Sequence, residues 1–256
     1  MNILKVFRAL TGRLPLMAKY RCNVCDHRVW KFLPYGGGSK SAPALMRAIE
    51  FTGSDLDNFE CPWCGATDRE RHLLMYMRAS GLLNSLASKE ILHFAPEARI
   101  AKMITEQHPV RYIKADLHPH KPDIERIDIL DIPYPDESFD IAIANHVLEH
   151  VEDDLRSLQE IQRVLKVGGF AILQTPFSSR LNATWCDDGI DDDQSRLQAY
   201  GQEDHVRLFG KDIFSRIAGA GLTSRVQHHD QLLAHIDEKM FGVNRSEPFF
   251  LFERTS

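Results

Sequence analysis

Residues 127–176 read IDILDIPYPDESFDIAIANHVLEHVEDDLRSLQEIQRVLKVGGFAILQTP, and this stretch constrains the fold most tightly. Two apolar runs, Phe139–Ala144 and Phe170–Gln174, bracket a segment with Leu155, Leu158, Ile161 and Leu165 at helical spacing and charge on the opposite face. Gly168-Gly169 then reads as the stop of that helix. A strand, a helix and a second strand in close succession need a crossover, which makes the two strands parallel neighbours. Parallel strands are covered on both faces, and the run Phe139-Asp-Ile-Ala-Ile-Ala144 is apolar enough to be central.

The same alternation extends in both directions. Glu90–Phe94 reads as a first buried strand, residues 98–107 as a helix, and Val110–Ala115 as a second strand running into Asp116. Residues 124–128 suggest a third short strand, 209–220 a helix ending near Gly221, and Leu222–Gln227 and Pro248–Glu253 two final strands. The expectation is an α/β fold: a doubly wound, mainly parallel seven-stranded sheet. In such sheets ligands sit beyond the carboxyl ends of the strands, at the switch point. Three segments converge there: the turn Phe94-Ala95-Pro96-Glu97, the pair Asp116-Leu117, and the pair Asp128-Ile129. Asp116 lies 21 residues past Ala95. That is close to the ~20 residues at which a nucleotide-binding turn is followed by a carboxylate on the ribose. The central strand delivers Asn145 and His146 to the same place.

The front of the chain has another character. Four of the five cysteines form two pairs, Cys22-Asn-Val-Cys25 and Cys61-Pro-Trp-Cys64. Each pair places two thiolates on one turn, and two such turns can close a tetrahedral zinc site. A small segment with little core of its own gains folding energy from such an ion. The 35 intervening residues exceed the usual insert and include the flexible run Gly36-Gly37-Gly38-Ser39-Lys40-Ser41. Cys186 stands apart as a free thiol. The expected organisation is a basic amphipathic arm at 1–20, a zinc-ribbon-like module at 21–70 and the sheet domain at 71–256.

No apolar run approaches the ~20 residues of a membrane span. The first residues lack the continuous apolar segment and cleavage site of a signal peptide. The expected location is cytoplasmic, with peripheral membrane contact open to the basic arm. Residues 1–85 hold 12 Lys/Arg against 7 Asp/Glu, and the remainder 19 against 29, so an anionic partner such as RNA would meet the front. The acidic loop Trp185–Asp193 reads as solvated.

Residues 88–253, and most clearly 116–176, resemble class I S-adenosylmethionine (SAM) dependent methyltransferases of the type-11 group, which implies a Rossmann-like methyltransferase fold and SAM as cofactor. In that family the first turn is usually glycine-rich and preceded by an acidic residue. Here His93 takes the acidic position, and Ala95, Pro96 and Glu97 replace the glycines. The resemblance implies that Phe94–Glu97 faces the methionine half, with Glu97 near its ammonium. It likewise puts Asp128 at the adenine amino group, the Ile129 amide at a ring nitrogen, and Asn145 and His146 beside the sulfonium. LHFAPE (92–97) and the string Gly201-Gln-Glu-Asp-His-Val-Arg207 resemble a subgroup that carries an upstream cysteine module.

His146, His150 and His205 are the candidate proton acceptors. Asp204, His205 and Arg207 form a compact polar set that could face the substrate; alternatively, Arg207 is a structural ion-pair partner and His205 a helix-entry residue. Glu149 and His150 read as the start of the next helix. The implied activity is methyl transfer to a small metabolite or sugar. The alternatives are an RNA methyltransferase using its zinc module for RNA contact and a non-catalytic binding protein on the same scaffold.

Overall fold

A computed structural model describes residues 12, 13 and 18–256; apart from residues 12–13 and 18–20, the arm at 1–20 lies outside the described residues. The chain divides into two compact units.

The first unit takes in the described residues up to Ala42, together with Gly53–Leu83 and His228–Pro248. Strands β1 (Tyr20–Arg21) and β2 (Arg28–Val29) form an antiparallel pair around the first cysteine turn. The two cysteine turns share one backbone pattern. The Asp26 amide donates to the Cys22 carbonyl at 2.8 Å, and the Gly65 amide to the Cys61 carbonyl at 2.9 Å. The residue after each second cysteine is left-handed, with φ of 64° at Asp26 and 72° at Gly65. Glycine adopts that region freely and aspartate more readily than most residues.

The helix Asp68–Ala79 opens on a capping box between Thr67 and Glu70. In its first turn Arg71 is fully buried over the Phe32 ring, its guanidinium carbon 3.9 Å from the ring centroid. It donates to the carbonyls of Asn58, Phe59, Ala66, Phe241 and Gly242. A buried guanidinium is tolerated only when its donors are used. Arg71 therefore ties three chain segments together, and the unit extends beyond residues 21–70.

The second unit comprises Pro43–Thr52, Asn84–Gln227 and Phe249–Ser256. It holds β3 (Phe51–Thr52), β4 (Glu90–Phe94), β5 (Arg111–Asp116), β6 (Glu125–Arg126), β7 (Phe139–Ala144), β8 (Leu165–Ile172), β9 (Phe177–Ser178), β10 (Leu222–Ser224) and β11 (Leu251–Arg254). Seven of these form one sheet in the order β10-β11-β8-β7-β4-β5-β6. The five strands from β8 to β6 run parallel, and β11 runs antiparallel to both β8 and β10. From β4 the chain steps outward to β5 and β6, then returns to β7 on the other side. The switch point thus lies between β4 and β7, the place expected for a ligand. Leu92, Ala142, Leu158, Ile161 and Phe250 belong to the core of this unit.

The long cysteine insert finds its explanation here, because residues 43–52 are part of this second unit. Met46 of the helix Ala44–Ala48 packs with Tyr200 and Leu208, and β3 pairs antiparallel with β9.

Two local expectations are corrected. The helix ends at Val164; Leu155 is exposed, and Leu165 already opens β8. Gly168 and Gly169 lie inside β8, where its register with β7 slips between Phe139 and Ile141. A Cβ at Gly169 would stand 3.0 Å from the Asp140 carbonyl oxygen. Close backbone approach, not helix termination, is what the glycine provides.

Candidate functional site

In the first unit the Sγ atoms of Cys22 and Cys64 are 3.8 Å apart and those of Cys25 and Cys61 3.9 Å. All four lie within 4.8 Å of one another. Four sulfurs at ~2.3 Å from a tetrahedral zinc ion stand ~3.8 Å apart, whereas a disulfide needs ~2.05 Å. The cluster fits a zinc ion and contains no disulfide. Hydrogen bonds to Cys61 and Cys64 push the Cys22 thiol up, burial pushes Cys25 up to about 11, and hydrogen bonds from Cys22 and Cys61 hold Cys64 down to about 2. Crowded thiols keep most of their protons unless a cation compensates the charge, so a divalent ion would let four thiolates coexist. Such an ion would be structural, closing the two turns on each other. Cys186 is an exposed free thiol.

At the end of β4, Ala95 has φ 44°, and its amide donates to the Ala115 carbonyl at 2.8 Å. A left-handed turn is a reason to prefer glycine there, and alanine adopts it at a cost of ~1 kcal/mol. Pro96 follows, and Glu97 is the N-cap of the helix Ala98–Thr105. Buried His93 links Tyr112 and Glu97: its Nδ1 lies 2.8 Å from the Tyr112 hydroxyl and its Nε2 2.9 Å from Glu97 Oε2. Asn145 Nδ2 donates to Glu97 Oε1 at 3.1 Å. Burial opposes the charge on Glu97, but the His93 hydrogen bond and the nearby imidazoles still hold the carboxyl below its ordinary range. The exchange noted in the sequence is therefore chemically balanced. His93 and Glu97 thus bring an imidazole and a carboxylate to the same strand end.

Half-buried Asp116 accepts the His118 amide on Oδ1 at 2.8 Å, and Leu117 beside it is exposed. Exposed Asp128 accepts the Leu130 amide at 2.9 Å, and Ile129 is buried. Across the switch point, Asn145 Oδ1 accepts the Gln174 amide at 3.3 Å, and the His146 amide donates to the Gln174 carbonyl at 2.7 Å. His146 has φ 53°. Left-handed non-glycine residues thus stand at the ends of both strands that flank the switch point. Strain of this kind concentrates at functional sites.

Beyond β7 the chain makes turns before the helix, whose N-cap is Asp153; Glu149 and His150 precede it rather than start it. Glu149 is buried, with Oε1 3.3 Å from His146 Nδ1. Burial opposes its charge, yet His146, with His205 and His150 behind it, holds the carboxyl down to about 2. His150 Nδ1 lies 3.2 Å from the Asp204 carbonyl and 3.3 Å from its Oδ2. His205 is buried, with Nδ1 3.1 Å from the Tyr200 carbonyl and its ring edge-on to His150 at 4.8 Å. Burial lowers the pKa of His205 and favours its neutral form.

Arg207 points elsewhere. Its guanidinium pairs with buried Asp154 and donates to the Val151 and Glu152 carbonyls at 2.6 Å, while Arg216 shares Asp154 at 2.7 and 2.8 Å. Of the polar set read from the sequence, Asp204 and His205 come together around His150, and Arg207 braces the entry to the helix. Glu149, read from the sequence only as part of a helix start, is instead the buried partner of His146. Its signal was the three-residue spacing from His146, which a turn as well as a helix can bring into contact.

Residues 81–173 match the family model described as a methyltransferase domain. Two curated relatives match over 46 residues each. Ajmaline N-methyltransferase of Rauvolfia serpentina is 39% identical over 18% of this chain and 16% of its own length. 2-Phytyl-1,4-naphtoquinone methyltransferase of Nostoc punctiforme is 46% identical over 18% of this chain and 20% of its own length. The chain thus spans a fifth or less of each relative. Among solved structures, an S-adenosylmethionine dependent methyltransferase from Mesorhizobium loti superposes with a TM-score of 0.47 and 16% identity, covering 69% of this chain and 94% of that one. Residues 81–173, which hold the strands on both sides of the switch point, thus resemble a methyltransferase domain, in a chain that also carries an N-terminal four-cysteine cluster.

Proposed function

We propose that the chain is a SAM-dependent methyltransferase acting on a small molecule, a metabolite or a sugar. The observation that carries this reading is the pair of left-handed residues, Ala95 and His146, at the ends of β4 and β7. In this reading they turn the chain at the switch point so that Glu97, Asp116, Asp128 and Asn145 can meet one ligand. In this reading Phe94–Glu97 takes the methionine half of SAM, with Glu97 and Asn145 near its ammonium. Asp116 accepts the ribose hydroxyls beside Leu117, and Asp128 with the Ile129 amide holds adenine. SAM supplies a methyl group on a positively charged sulfur. The chain's own residues align the acceptor for an in-line displacement and exclude water. Where the acceptor carries a proton, His146 backed by Glu149, or neutral His205, takes it. Zinc in the cysteine cluster and a cytoplasmic location, where thiols stay reduced, complete the proposal. The names of the two curated relatives specify small-molecule acceptors, which agrees with it.

An RNA acceptor is the second reading, favoured by exposed Trp63 on the cysteine module. The His27 ring stacks on it at 4.4 Å and the Arg13 guanidinium lies 4.6 Å from its centroid, an arrangement suited to a base. Incubation with SAM labelled on its methyl group, offered separately to a low-molecular-weight metabolite pool and to total RNA, tests both. Label in the metabolite pool is expected. Label in RNA, falling steeply with salt, would select the second reading, and label in neither would overturn both.

A further inference from the structure

We infer that Glu149, His150 and His205 form a binding site for a divalent first-row transition-metal cation, distinct from the cysteine centre. Their ligand atoms lie within 4.8 Å of one another. Two independent features give the cluster the chemistry of a site. First, both imidazoles are fixed in one tautomer. Nδ1 of His205 faces the Tyr200 carbonyl at 3.1 Å and Nδ1 of His150 the Asp204 carbonyl at 3.2 Å, so each carries its proton there. Each Nε2 is left with a lone pair, and carbonyl and carboxylate partners on the far nitrogen orient metal-binding histidines. Second, Oε2 of Glu149 is buried and has no hydrogen-bond partner among the described residues, while Oε1 faces His146. A buried carboxylate oxygen is rarely left unsatisfied, and a cation between two imidazoles would satisfy it.

The donors are held by main chain. The Val206 amide donates to the Glu149 carbonyl at 2.9 Å and so fixes two distant segments side by side. Two histidines and one carboxylate suit zinc, manganese, iron(II) or cobalt, with positions left open for other ligands. At the carboxyl end of β7 such a cation stands where it can acidify an oxygen acceptor.

Cobalt(II) titration of the zinc-replete protein, without SAM, tests the site. One further equivalent of cobalt is expected, with weak visible bands and no intense thiolate-to-cobalt band. Its affinity should fall about tenfold or more in His150→Ala and in Glu149→Gln. Retained zinc serves as the folding control for both variants, and His150 is partly exposed, so at least His150→Ala should also keep its unfolding midpoint. Cobalt that binds only by displacing zinc, or that binds His150→Ala as it does the unaltered chain, would overturn the inference. Because no SAM is present, failure of the methyltransferase reading would leave this result untouched.

Discussion

Asp116 gives one carboxylate oxygen to its own loop and keeps the other for whatever lies beyond β5. Replacing it with alanine removes an acceptor without opening a cavity. Asp116→Ala is expected to weaken SAM binding by ~1–3 kcal/mol in calorimetry with little change in the unfolding midpoint; unchanged affinity would mean that the ribose lies elsewhere. The position of Asp116 at the end of β5 was legible in the sequence because its spacing from Ala95 is a property of one βαβ unit. The Glu97 substitution was equally visible, but its compensation by His93 and Asn145 was not, since Asn145 arrives from another strand. Arg71 was the least legible. A helical arginine ordinarily snorkels to solvent, and the five carbonyls that bury it come from segments far apart in the chain.

Short elements followed the same rule. Each cysteine turn is a local motif, so the pairs announced themselves. What sequence could not reveal is that β3, two residues long, finds its partner in β9 more than a hundred residues later. The Gly168-Gly169 pair illustrates the converse. A helix stop and a slip in strand register call for the same residue, and only the neighbouring Asp140 carbonyl distinguishes them. The two cysteine turns share one proposed ion, so losing one sulfur should release it. Cys61→Ser, or a strong chelator, is expected to take bound zinc from about one per chain to near zero and to lower the helical signal of the first unit. Metal analysis and circular dichroism check this; zinc retained in Cys61→Ser would place the ion elsewhere.

At the scale of the whole molecule, alternating strands and helices made the parallel sheet legible, whereas the inclusion of 228–248 in the first unit depended on long-range bonds to Arg71 and on Tyr76, whose hydroxyl donates to the Glu247 carbonyl at 2.8 Å. Two buried carboxyls, one in each unit, should also respond oppositely to pH. In the first, burial and then the charge of Glu247 raise the Asp68 carboxyl to about 7. A carboxyl raised on folding binds more protons in the native state, so stability falls as pH rises from ~4 to that value. In the second, Glu149, held down to about 2, contributes stability above the ordinary glutamate range that is lost as pH falls toward that value. Asp68→Asn is expected to gain ~1–3 kcal/mol over the unaltered chain at pH 8 and to lose that advantage near pH 4. Thermal midpoints across this range check the sign, and an advantage independent of pH would contradict the assignment.

The central claim is that the glycine-poor turn at Phe94–Glu97 still completes a cofactor pocket. Calorimetric titration of the zinc-replete protein with SAM and with S-adenosylhomocysteine tests it most directly. The account predicts saturable binding of both ligands at micromolar affinity, weakened together in Asp116→Ala. Absence of binding to well-folded protein would contradict it and leave a non-catalytic binding protein on a methyltransferase scaffold.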